Sequence, residues 1–167
     1  MIHEGNPFAP TEDDPFRRFR GRLAAPVTII TSGDDAKRTG LTVSSLFLVE
    51  GDPSLIHAVV GPNSDLFDVV AESGRFLVHI CKEGQNSAAD VFAGLRPSPG
   101  GLFKSVEWEQ TDWGPALDAM PNRAFCSLVS VDETAWSGVL VGQVDRFEIA
   151  ELSSPLVHYR GSYRSLD

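Results

Sequence analysis

Apolar and polar positions along the chain predict short strands separated by turn signals. Pro26-Val-Thr-Ile-Ile-Thr is a β-branched run and predicts a first strand. Ser32-Gly-Asp-Asp-Ala-Lys-Arg38 reads as a hairpin loop. Strand character resumes over 39–49, until Gly51-Asp-Pro53 ends it. Residues 54–60 predict a third, apolar strand. After the turn Gly61-Pro-Asn-Ser64 the period changes. Leu66, Phe67, Val69, Val70 and Ser73 recur at helical spacing, with Asn63 or Ser64 placed as N-cap and Gly74 as the C-terminal stop. Residues 75–81 predict a fourth strand, and 86–92 a second short helix stopped by Gly94. Arg96-Pro-Ser-Pro-Gly-Gly101 is the most turn-rich segment, a kind of loop that often carries function. Two long strands follow at 122–131 and 139–149, then a short one at 155–163.

These elements describe a mainly β fold of six or seven strands with two short helices inserted. Hydrophobic alternation is incomplete at 26–31 and 54–60. Both faces of those strands must therefore be covered, as in a closed barrel packed against a partner. Residues 16–23 predict a short basic helix. Residues 1–14 are polar and rich in acid and proline, which reads as a loosely held arm rather than a signal peptide. The expected division is a flexible arm over 1–15 and one domain over 16–167. A chain of 167 residues buries roughly 70% of its unfolded surface, enough for a core without staples.

Charge narrows the function. The net charge of −9 argues against a nucleic-acid or anionic-membrane surface. No stretch approaches the ~20 apolar residues of a membrane span. Cys81 and Cys126 sit in apolar runs with no Cys-x-x-Cys or Cys/His spacing. They read as isolated buried thiols, not as a disulfide or metal pair, and suit a cytoplasmic protein.

The chain lacks a Gly-x-Gly-x-x-Gly turn, a Walker loop, a Gly-x-Ser-x-Gly elbow and a His-Glu-x-x-His pair. His57 and His79 lie inside predicted strands, where a lone histidine is usually a hydrogen-bonded structural group. What remains is a set of small hydroxyl residues: Thr39, Thr42, Ser44 and Ser45. On a strand, Thr42 and Ser44 point one way while Val43 and Ser45 point the other. Such a wall suits a planar, carbonyl-rich ligand; it equally suits an ordinary solvent-facing edge strand.

The order of several sequence words resembles the flavin-reductase-like family of the FMN-binding split-barrel superfamily. They are Pro26-Val-Thr-Ile-Ile-Thr, Gly40-Leu-Thr-Val-Ser-Ser-Leu, Ser73-Gly-Arg-Phe-Leu-Val, the Phe103 to Trp108 segment, Gly142-Gln-Val and Leu156-Val-His-Tyr-Arg-Gly-Ser-Tyr163. The resemblance implies a split β-barrel, a homodimer, and FMN or FAD in a groove between subunits. It implies hydride transfer from NAD(P)H to the flavin, and a monooxygenase as the partner that takes the reduced flavin. By resemblance, Thr42, Val43, Ser44 and Ser45 contact the ring edge and ribityl chain. Thr28 and Ile29 lie near the ring, and Asn63 and Ser64 hold the phosphate at a helix start. His79 stands where the family usually has Asn, and is expected to hydrogen-bond with a pH dependence near neutrality.

Two further departures bear on function. Family members commonly have Ser-Arg-Thr or Ser-Lys-Ser at the helix start, whereas this chain has Ser64-Asp65-Leu66. Asp65 puts an anion where a phosphate would sit, so the phosphate site is weakened or draws on Lys37, Arg38 or Lys104. Ser137 stands where many family reductases carry a His linked to nicotinamide handling. These departures motivate a rival expectation: a repurposed barrel that binds haem, a deazaflavin or only a protein partner.

Overall fold

The computed structural model describes residues 14–166. The arm expected over 1–15 lies almost wholly outside them. A short helix, α1 (Pro15–Arg20), begins at Asp14, whose carboxylate accepts from the Phe16 amide at 3.0 Å. The strands that follow are β1 (Ala25–Pro26), β2 (Thr28–Ser32), β3 (Thr39–Val43), β4 (Leu46–Val49) and β5 (Leu55–Val60). Then come α2 (Asp65–Ser73), β6 (Arg75–Ile80), α3 (Asn86–Phe92), β7 (Trp108–Thr111) and β8 (Gly114–Leu117). The chain closes with β9 (Arg123–Thr134), β10 (Ser137–Glu148), β11 (Leu156–Tyr159) and β12 (Ser162–Ser165).

One antiparallel sheet of seven strands dominates, in the order β3-β2-β6-β9-β10-β5-β4. Its two edges, β3 and β4, are consecutive in sequence and joined only by Ser44 and Ser45. The sheet must therefore curl until its edges meet, which makes a split barrel. All seven strands send apolar side chains into one cluster, including Ile30, Val43, Leu46, Ile56, Phe76, Ala124 and Leu140. Helix α2 closes that interior with Leu66 and Val70, both fully buried. A second cluster packs α3 on the opposite face of β2, through Ile29, Ala89 and Phe92.

All five residues of β2 are buried, as its missing alternation predicts. Strand β5 behaves differently. Ile56, Ala58 and Val60 are buried while Leu55, His57 and Val59 are only half-buried, so one face remains open in the single chain. Sequence reading also merged strands. The run 39–49 is two strands broken at Ser44-Ser45, and 155–163 covers β11 and the first half of β12. The β7–β8 hairpin went unseen because Gly114 and Pro115 read as loop residues.

Candidate functional site

The sheet brings three segments to one end of the barrel. Ser45 donates its hydroxyl to the Val59 carbonyl at 2.7 Å and accepts the Val59 amide on its own carbonyl at 2.8 Å. The link between β3 and β4 is thereby stapled to the end of β5. The turn 61–64 and the N-terminus of α2 follow directly. Gly138 of β10 pairs with Val60, so the tip of the β9–β10 hairpin, with Ser137, joins them. A side chain at Gly138 would place its Cβ 2.1 Å from the Phe67 ring, so only glycine lets α2 lie against this hairpin. Sequence reading missed that contact, although a lone glycine inside a strand pattern is its usual signal.

Most of the expected hydroxyls are engaged internally. Thr28 donates to the Val43 carbonyl at 2.6 Å, and Thr42 donates to the Ala89 carbonyl at 2.6 Å, tying β3 to α3. Because β3 ends at Val43, the expected alternation does not continue through Ser44 and Ser45. The side chains of Thr28, Ile29, Val43 and His79, expected to border a ligand, face the interior of the chain, so any part they take is through main-chain groups. All four are buried, with Ile29 and His79 fully so. What β3 offers is an outer edge of main-chain groups, since among the described residues its one ladder partner is β2.

His79 also departs from expectation in its chemistry. Its Nε2 accepts the Leu117 amide at 3.1 Å, which leaves Nδ1 to carry the proton and donate to the Ile29 carbonyl at 3.0 Å. Burial drives its pKa from 6.5 down to about 4, against the pull of the Ile29 hydrogen bond, and the nearby Arg123 lowers it further. The ring is a neutral structural clamp between β6, β2 and β8, not a group titrating near neutrality.

Two polar side chains of the expected site have no internal partner among the described residues: Ser44, half-buried, and Asn63, exposed. Ser64 is the N-cap of α2, its hydroxyl accepting the Phe67 amide at 3.2 Å. Helix geometry leaves the Asp65 and Leu66 amides without intrahelical acceptors, a place for an anion. Asp65 is exposed at that point, and Leu66 is core, which explains why no hydroxyl stands there. The substitute cations are elsewhere. Lys37 pairs with Glu72, in the last turn of α2 and about 10 Å from the helix start at 1.5 Å per residue. Arg38 and Lys104 line a pocket with Trp108, beside the start of β3.

The family model described as a flavin reductase like domain matches residues 20–167. The chain belongs to this family. Among the relatives of this flavin reductase-like protein is the reductase subunit HsaB of a flavin-dependent monooxygenase from Rhodococcus jostii (strain RHA1). It is 30% identical over 158 residues, covering 92% of this chain and 79% of that one. The NADH-dependent FMN reductase AsuE2 of Streptomyces nodosus subsp. asukaensis is 29% identical, over 90% of this chain and 83% of that one. In fold, nitrilotriacetate monooxygenase component B from Mycobacterium thermoresistibile superimposes with a TM-score of 0.82 at 28% identity, covering 91% of this chain and 85% of that one.

Proposed function

We propose that this flavin reductase-like chain binds FMN or FAD at the barrel end formed by Ser44, Asn63 and Ser64, and reduces it with NADH or NADPH. The observation that carries the reading is the convergence there of the β3–β4 link, the start of α2 and the β9–β10 hairpin, in a barrel of this family. The residues fit a flavin. Unpartnered Ser44 and Asn63, with the open β3 edge, suit its carbonyl-rich ring and polyol. The free amides of α2 suit its phosphate, opposed by the charge of Asp65. Hydride acceptance is chemistry that a bound flavin supplies, so no side-chain acid or base is required. The chain's own residues position: Thr42 holds β3 to α3, Ser45 holds the link to β5, and Phe67 on Gly138 holds the hairpin against α2.

The partner reading follows the relatives. HsaB is a monooxygenase reductase subunit, and we assign this chain the supply of reduced flavin to a monooxygenase. We further infer a homodimer in which a second copy covers the open face of β4 and β5. That face carries Phe47, 55% exposed and stacked on His57 with ring centroids 4.9 Å apart. Residues 16–167 are taken as the folded unit. A cytoplasmic site of action suits the two free, buried thiols. Among the described residues no helix is long and apolar enough to cross a membrane. A repurposed barrel for haem, a deazaflavin or a protein partner is not favoured, since both relatives above carry reductase names.

Purified protein titrated with FMN and then NADH tests the reading. Saturable flavin binding and NADH oxidation above the rate of free flavin are expected. The absence of both would overturn it.

A further inference from the structure

The end of the barrel away from α2 opens on an apolar groove of about 380 Å³. Its floor is Leu46, Ile56 and Val78 of the main core, and its rim carries Leu48, Ile80 and Ile149. Leu48 is 65% exposed and Ile149 85%, so the rim stands uncovered in the single chain. Strand alternation turns Leu48 to this mouth and Phe47 to the outer face of β4, the face inferred above to meet a second copy.

Helix α1 carries a matching surface. Phe16 and Phe19 lie three residues apart on one helix face, 70% and 67% exposed, and Leu23, exposed as well, follows in the next turn. No residue of α1 is buried. A helix of six residues is well below the ~12–15 that hold alone in water, so its apolar face has to pack on something. Its charge is also distinctive. In a chain of net charge −9, Arg17, Arg18, Arg20 and Arg22 cluster here, and none forms an ion pair among the described residues. The mouth is fringed with the opposite sign. Glu50 and Asp52 follow Leu48, Glu151 follows Ile149, and all three are exposed and likewise without ion pairs among the described residues. A basic apolar helix and an acid-fringed apolar mouth are complementary.

The helix is held off the mouth of its own barrel. The Gly21 amide donates to the Arg17 carbonyl at 3.0 Å, Arg22 to Phe19 at 3.0 Å and Leu23 to Arg20 at 3.1 Å, which fixes the link in consecutive turns. Ala25 is then pinned to His158 of β11. Folding α1 back would break these bonds. We propose that α1 of a second copy seats Phe16 and Phe19 in this mouth, its arginines facing Glu50, Asp52 and Glu151, and that the exchange is reciprocal. The inference rests on the homodimer reading and carries that interface from the outer face of β4 round to its inner side. Twofold symmetry gives each dimer two such contacts.

The test uses the full chain carrying both Phe19→Cys and Ile149→Cys, beside each single variant, treated with a short bis-maleimide. Both positions are exposed, so the core is undisturbed, and circular dichroism checks the fold. Cys81 and Cys126 are buried and stay unreactive in the native protein. The double variant is expected to become a covalent dimer linked between positions 19 and 149, and the single variants to stay monomeric on a denaturing gel. A chain linked internally between the two positions would put α1 on its own barrel. No link between them would leave the mouth to something else. Either result overturns the proposal. Sedimentation of Phe19→Ser gives a second measure. Its dimer dissociation constant should rise about a hundredfold, since each dimer loses two buried aromatic contacts, each giving roughly a factor of ten. Dimerisation equal to the parent's would overturn the exchange and spare the homodimer. A parent that is monomeric at every concentration would overturn both.

Discussion

His79 makes folding stability depend on pH between the imidazole pKa values of the folded and unfolded chain. In the folded chain its pKa is about 4, against 6.5 for a solvated imidazole. Between those values the unfolded chain binds a proton that the folded chain refuses, so acid favours unfolding. The stabilising contribution is fully present above pH 6.5 and drains away as pH falls towards 4. At 1.36 kcal/mol per pH unit the gap amounts to about 3 kcal/mol. The ring is fully buried, so solvent screening does not reduce the figure. The assay is urea unfolding of the parent and of His79→Asn at steps from pH 4 to 7.5. Asparagine offers an acceptor to the Leu117 amide and a donor to the Ile29 carbonyl but cannot titrate. It should lower stability at neutral pH by leaving space in the core, and it should flatten the slope between pH 6.5 and 4. Carboxylates titrate in both proteins and cancel in the difference. An identical slope in the two proteins would refute the clamp.

Other predictions follow from the same contacts. Gly138→Ala forces a methyl into the Phe67 ring and should cost about 1–3 kcal/mol in urea unfolding. Adding Phe67→Ala should recover part of that loss, and strict additivity of the two would contradict the contact. Asp65→Asn should tighten FMN by about 1 kcal/mol, roughly fivefold, because Asp65 is exposed and water damps its repulsion of a phosphate. Unchanged affinity in a fluorescence titration would place the phosphate away from α2. Burial raises the Cys81 and Cys126 thiols to about 12, so neither should react with a thiol reagent at pH 8 until the chain unfolds. Rapid labelling of the native protein would contradict their placement.

The strand and helix periods of this chain are strong enough that both main helices and the long strands are legible from sequence. Ser64 as cap and Gly74 as stop of α2 are cases in point, with Gly74 at φ +69. What periodicity cannot carry is the fate of individual polar groups. Thr42 and Ser45 read as part of a hydroxyl wall, and Thr28 as lying near a ligand ring, yet each donates to a main-chain carbonyl at least 14 residues away in sequence. Burial of His79 depends on the β7–β8 hairpin, whose Leu117 amide meets its Nε2, and that hairpin hides behind glycine and proline. Lys37 and Arg38 are adjacent in sequence, but the 3₁₀ turn Asp35–Lys37 sends one to Glu72 and the other to Trp108. The polar side chains left without internal partners among the described residues, Ser44 and Asn63, stand out only once those partners have been counted.

The central claim is that the barrel end at Ser44, Asn63 and Ser64 holds a flavin that NADH reduces. Its most direct test is anaerobic mixing of the FMN-loaded protein with NADH, following bleaching of the flavin's visible absorbance, beside a Ser44→Val, Asn63→Ala variant. The account predicts bleaching much faster than for free FMN in the parent, and weakened flavin retention in the variant with folding intact. Bleaching no faster than free FMN, or full retention of flavin by the variant, would contradict it.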